Sequence, residues 1–304
     1  MANFIFIFFC LGAGFIAARS GALPRDSFKA VNAWVVYFGL PALAIRYIPT
    51  ISWSLEMLVP ALTPVVAWCG AWVFVQIYGK LRPIGPDTRA VMLVGCGLGN
   101  TGFFGYPIVI AFFGTDALST ALVSDIVTVT LFCTLGIATV LKAANQSAGG
   151  HTGFGALAKK MFTFPVFTTS LIVLPLSLVL DISAINPFVD LIVPTVAPLA
   201  LFSIGLQFDF KDSGESMGHV MAGMLYRLII SPALVLLLAL ALGARGDTAM
   251  ISVFEAGTPT HVVVCVTASQ FNLNPRLCAL MVALTIVGAL IVLPGWYYVM
   301  QFIF

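Results

Sequence analysis

What most constrains this chain is the spacing of its polar residues. Apolar runs follow one another almost from end to end, parted by short polar pieces. A helix needs roughly 20 apolar residues to cross a hydrocarbon core of about 30 Å. Ten runs approach or exceed that length, at about 2–18, 29–48, 55–79, 89–113, 118–141, 163–181, 186–207, 219–243, 248–270 and 275–302. Charged residues make up only 9% of the chain and the mean hydropathy is +1.06, against about 25% charged in ordinary soluble domains. No strand-like alternation is present, which excludes an outer-membrane barrel. The expected fold is an all-α polytopic membrane protein with ten transmembrane helices. No Lys or Arg precedes the first run, so it reads as a retained helix and not as a signal peptide.

Charge placement predicts an orientation. Eleven of the fourteen Lys and Arg residues follow runs 1, 3, 5, 7 and 9, among them Arg19, Arg25, Lys80, Arg82, Lys142, Lys159, Lys160, Lys211 and Arg276. The opposite side holds Arg46 and Arg245, and Arg227 lies inside run 8. The positive-inside rule then puts the basic loops in the cytoplasm. Both termini are expected on the non-cytoplasmic side of the cytoplasmic (inner) membrane. A net charge of +2 says little about partners; the bilayer and a small solute are expected, and nucleic acid is not. The six cysteines, at 10, 69, 96, 133, 265 and 278, show no CxxC spacing and read as small packing residues. The three histidines show no ligand spacing, and no cofactor is expected. Helix faces with Gly12 and Gly14 leave room for a close-packed partner such as a second copy.

The longest polar piece, 142–160, is rich in Gly, Ala and Ser with basic ends, and reads as a flexible cytoplasmic linker. It divides the chain into 1–141 and 161–304, with five runs each. An odd number of spans per half inserts the second half upside down, as in inverted-repeat transporters. Prolines recur in corresponding runs: Pro41 and Pro107 in the first half, Pro198 and Pro259 in the second. In run 4 the sequence is Gly99-Asn100-Thr101-Gly102-Phe103-Phe104-Gly105-Tyr106-Pro107; in run 9 it is Glu255-Ala256-Gly257-Thr258-Pro259-Thr260. Each proline either kinks its helix, which membrane helices tolerate, or marks a discontinuous helix. Matched breaks in two halves point to a binding site.

A proline has no N–H and crowds the carbonyl four residues back, here those of Phe103 and Glu255. Half-helices beginning near Ile108 and Thr260 would offer amides and partial positive charge to a carboxylate, while freed carbonyls suit a cation. The substrate-binding candidates are therefore Asn100, Thr101, Tyr106, Pro107, Thr258, Pro259 and Thr260. The threonines have an alternative use, bonding their own i−4 carbonyls. Glu255, a carboxylate at membrane depth, is the candidate for a coupling ion or proton, or for a structural bond to backbone. His261 is either a proton shuttle or a neutral brace for the crossing. Asp125 pairs with a cation or a proton. Arg227 either attracts a substrate carboxylate or snorkels to the interface.

The run 4 and run 9 motifs, with Asn32 to Leu43 of run 2 and the ten-span layout, resemble the auxin efflux carrier family. The resemblance implies two inverted five-helix repeats, with helices 4 and 9 broken and crossing near the bilayer centre. It implies a panel of helices 1, 2, 6 and 7 moving against crossover helices 3–5 and 8–10. It places substrate beside Asn100, Pro107 and Pro259. Likeness to the bile-acid sodium symporters adds a Na⁺ site at Glu255. The short linker matches the bacterial type, whose members carry malonate and similar carboxylates. The expected activity is thus secondary transport of small organic anions by alternating access, coupled to Na⁺ or H⁺ or driven by membrane potential alone. An anion channel is the rival reading. An intramembrane enzyme is disfavoured, because no nucleophile–base pair or metal motif stands out.

Overall fold

The computed structural model describes residues 2–24, 26–51, 54–148, 165–207, 217–262, 271 and 273–304. An unpaired peptide group in hydrocarbon costs several kcal/mol, and a helix satisfies its peptide groups within one segment. Accordingly every regular element among the described residues is a helix, and their only extended pairing is an isolated antiparallel bridge between Gly99 and Thr260. The helices are α1 (Ala2–Ser20), α2 (Ser27–Trp34), α3 (Leu40–Tyr47), α4 (Leu58–Leu81), α5 (Pro86–Gly97), α6 (Tyr106–Phe113) and α7 (Leu118–Leu131). They continue with α8 (Ile137–Ala148), α9 (Pro165–Val179), α10 (Asn186–Gln207), α11 (Met217–Leu225), α12 (Ser231–Ala241), α13 (Gly246–Ala256) and α14 (Pro275–Ile303).

Among the described residues, six stretches are long and apolar enough to cross a membrane: Ser27–Thr50, Leu55–Leu81, Thr115–Ala144, Ser183–Ser203, Met217–Ala241 and Arg276–Ile303. Ten were expected; run 4 differs for a physical reason, while in runs 1, 6 and 9 some residues or their side chains lie outside those described. Run 4 is divided between α5 and the shorter apolar stretch Thr101–Phe113. Run 9 gives α13 and then leaves helical geometry at Gly257, while 263–270 lies outside the described residues. Runs 1 and 6 supply the shorter apolar stretches Phe8–Ser20 and Thr168–Val179. Helix α8 continues to Ala148, past the expected start of the linker at 142. The rest of that linker, with Lys159 and Lys160, and also Arg25, Lys211 and Cys265, lies outside the described residues.

Three prolines share a local solution. The five-residue π-turns Val35–Gly39, Thr101–Gly105 and Tyr226–Ile230 each end two residues before a proline, at Pro41, Pro107 and Pro232. A proline cannot donate to the helical ladder and collides with the i−4 carbonyl. A wider i→i+5 turn just ahead of it shifts the ladder, so the helix proceeds without a sharp break. These prolines occupy the second position of α3, α6 and α12, where a missing N–H is least costly.

Helix α1 lies along α10, and α3 packs on both α9 and α10. Polar clamps tie α2 and α3 to α10: Trp34 Nε1 donates to Thr195 Oγ1 at 3.0 Å, and Arg46 pairs with Asp190 at 2.8 Å. In the rest of the chain α4 contacts α5, α7, α12 and α13, while α14 packs on α11 and α5. Gly14 and Gly205 let α1 and α10 touch backbone to backbone. A Cβ on Gly14 would collide with the Phe202 carbonyl, and one on Gly205 with the Leu11 carbonyl. Gly14 is therefore used inside the chain, whereas a Cβ on Gly12 would meet nothing within 4 Å. Gly205→Ala should destabilise the protein by about 1–3 kcal/mol through overpacking, and Gly12→Ala should be neutral. Thermal unfolding in detergent checks both; a Gly205→Ala protein as stable as wild type contradicts the close approach.

Candidate functional site

The break in run 4 is three residues long and precedes the expected position. Helix α5 ends at Gly97, Leu98 is extended, and the chain turns helical again at Thr101. Asn100 caps the restart, its Oδ1 accepting from the Phe103 N–H at 3.2 Å. Short polar side chains fill that role best because they satisfy an otherwise orphan amide. The Asn100 carbonyl accepts from the Gly105 N–H at 2.9 Å and starts the π-turn. The second half-helix thus begins at Thr101, not near Ile108, and Gly102, Gly105 and Pro107 lie within it. In run 9, α13 ends at Ala256, and the Glu255 carbonyl is not free: it accepts from the Thr258 N–H at 3.1 Å and the Thr258 hydroxyl at 2.7 Å.

The two non-helical stretches, 98–100 and 257–261, meet each other. The Asn100 N–H donates to the Pro259 carbonyl at 2.8 Å, and the His261 N–H donates to the Leu98 carbonyl at 3.1 Å. Neighbouring side chains bond further backbone groups. Thr260 Oγ1 donates to Gly95 O at 2.9 Å, and Ser231 Oγ to Ala256 O at 3.0 Å. The Thr260 N–H reaches Thr285 Oγ1 at 3.1 Å. Arg227 serves both helix ends: Nε donates to Thr258 O at 2.6 Å, Nη1 to Cys96 O at 3.2 Å and Nη2 to Thr258 Oγ1 at 3.3 Å. With no water in hydrocarbon to accept these bonds, the protein itself must supply them.

A second layer carries the acidic groups. Asp125 of α7 accepts from the Thr101 hydroxyl at 2.5 Å and from the Tyr106 hydroxyl at 2.7 Å. A Cβ on Gly102 would lie 3.5 Å from Asp125 Oδ1, and one on Gly105 would lie 2.7 Å from Glu255 Oε1. The glycines, three residues apart on one helical face, let both carboxyl groups approach the backbone. Neither Glu255 oxygen nor Asn100 Nδ2 has a hydrogen-bond partner among the described residues. Both residues are 1% exposed, and buried polar groups are rarely left unpaired.

All the candidates named from sequence are buried in this one region: Asn100, Thr101, Tyr106, Pro107, Asp125, Arg227, Glu255, Thr258, Pro259, Thr260 and His261. Arg227, 2% exposed, does not snorkel, and its ring of acceptors belongs to the protein. The site threonines do not bond back to i−4 carbonyls: Thr101 holds Asp125, Thr258 closes the turn after α13, and Thr260 bridges to α5. The His261 ring stacks on Phe132, with centroids 5.8 Å apart and planes 12° apart. Sequence reasoning missed Gly99, Ser231 and Thr285. The last two are polar residues within runs 8 and 10, a signal that could have marked them. Gly99 is required because a Cβ there would collide with Arg227 Nη2. Gly99→Ala should therefore cost about 1–3 kcal/mol, while Gly102→Ala, which meets only ordinary contact distances, should stay near wild type. Equal melting temperatures for the two variants would contradict the arrangement around Arg227.

Comparison with known proteins agrees with a transport architecture. The sequence profile of the family described as "Membrane transport protein" matches residues 1–152 and 155–297. An uncharacterized transporter of Methanocaldococcus jannaschii is 24% identical over 303 residues, covering 94% of each chain. The uncharacterized transporter YfdV of Escherichia coli K12 is 23% identical over 301 residues, 95% of this chain and 94% of that one. Auxin efflux carrier component 2 of Arabidopsis thaliana is 32% identical over 106 residues, 34% of this chain and 16% of that protein. The chain belongs to this family of multi-pass membrane transport proteins, which includes the auxin efflux carriers.

Proposed function

We propose that this member of the auxin efflux carrier family is a secondary transporter of small organic anions, mono- or dicarboxylates such as malonate, working by alternating access. The observation that carries the reading is the amide of Asn100: a buried N–H₂ donor with no partner among the described residues, at the crossing of two interrupted helices. A carboxylate oxygen is the acceptor such a donor suits. The Glu255 carboxyl group, close to Gly105 and without a partner among the described residues, suits the coupling ion, and Asp125 holds the turn that Asn100 caps. Uptake needs such coupling, because an inside-negative potential favours anion exit by about 2.3 kcal/mol per charge per 100 mV.

Other features support the same reading. The contacts of α1, α3, α9 and α10 with one another fit a panel made from the first two spans of each half, which can move against the remaining helices. The interruptions occur in the fourth segment of each half, as expected of inverted five-helix repeats with helices 4 and 9 crossing. Both termini then face the non-cytoplasmic side of the inner membrane.

Asn100→Ser separates binding from structure, since serine still caps the helix but lacks the amide. In proteoliposomes it should reduce counterflow of labelled malonate by about tenfold or more, the loss of one buried hydrogen bond to a charged group, with little change in melting temperature. Counterflow as fast as wild type would overturn the site. Counterflow also separates carrier from channel: preloaded unlabelled substrate should accelerate uptake of label, and no acceleration would favour the channel reading. Glu255→Gln should make transport indifferent to an imposed ion gradient; coupling as in wild type would remove Glu255 from that role.

A further inference from the structure

The crossing has two helix C-termini aimed at it, those of α5 and α13, and each carries about half a negative charge. At such ends, unwound carbonyls of transporters coordinate a sodium ion. Here Arg227 reaches the same kind of acceptors from the π-turn Tyr226–Ile230. Its donors meet Cys96 O and Thr258 O, one carbonyl from each end, and the hydroxyl of Thr258. Gly99 clears the space for Nη2, and Ser231, four residues on from Arg227, holds Ala256 O of the same helix end. A guanidinium cannot be deprotonated in a protein, so its positive charge is permanent.

We propose that Arg227 is a tethered cation, holding the cradle of helix-end oxygens that a sodium ion would otherwise occupy, so that the crossing of this chain is assembled without Na⁺. The inference rests on reading the crossing as the transport site. It assigns Arg227 a positioning and ion-selecting role in place of contact with substrate.

The test is thermal unfolding of the purified full chain in NaCl and in choline chloride at equal ionic strength, without substrate. Its failure is therefore distinct from failure of the carboxylate site. Wild type should melt at the same temperature in both salts. Arg227→Gln should melt lower in choline and regain about 2 °C or more in NaCl, saturably. Arg227→Lys should lie closer to wild type than Arg227→Gln and show no sodium response. A sodium-specific rise in wild type overturns the proposal. So does a folded Arg227→Gln protein indifferent to the salt, or an Arg227→Lys protein no more stable than Arg227→Gln. If Arg227→Gln folds only in NaCl the cradle is supported. If it folds in neither salt, wild type and Arg227→Lys decide the matter by the same criteria.

Discussion

Every peptide group that leaves a helix at membrane depth must find a partner in the protein. The contact between the non-helical stretches 98–100 and 257–261 meets that demand reciprocally: Asn100 bonds Pro259, His261 bonds Leu98, and Arg227 joins both helix ends. The surrounding architecture follows. Ser231 and Thr285 must come from neighbouring helices to complete the set, and glycine must stand at 99 so the guanidinium can enter. Among the buried side-chain atoms of this region, few are without a partner among the described residues: Asn100 Nδ2 and the two Glu255 oxygens. That economy is what makes them informative.

The crossing also sorts its charges. Arg227 lies with the carbonyl ends of α5 and α13, while Asp125 and Glu255 approach the glycine face of the π-turn Thr101–Gly105. Asp125 is engaged by Thr101 and Tyr106, and so serves to hold that turn. Glu255 has no such engagement among the described residues. Two buried carboxyl groups of similar placement are thereby in different states: one is held by two hydroxyl donors, and the other has no partner among the described residues.

Much of this was legible in the sequence. Run lengths gave the helical membrane class, and the Gly-, Asn- and Pro-bearing motifs of runs 4 and 9 located residues that do meet in space. What misled was the proline. Pro107 suggested a break at its own position, but a preceding π-turn accommodates it, and the interruption falls at Leu98–Asn100. Asn100 was readable as a helix cap, which would have placed the restart at Thr101. Arg227 was harder to read, because its bonds span 131 residues to Cys96 and 31 to Thr258. No local pattern reports partners at such separations. Gly14 was read as an outward packing face and instead meets α10, for the same reason.

The claim on which the account turns is that a carboxylate reaches the Asn100 amide. Solid-state NMR can measure this directly, using ¹³C-carboxyl malonate bound to protein carrying ¹⁵N in its asparagine side chains. The account predicts dipolar dephasing corresponding to about 4 Å, the separation a single N–H···O bond imposes, and its disappearance in Asn100→Ser. Bound malonate with no dephasing from Asn100 would contradict it.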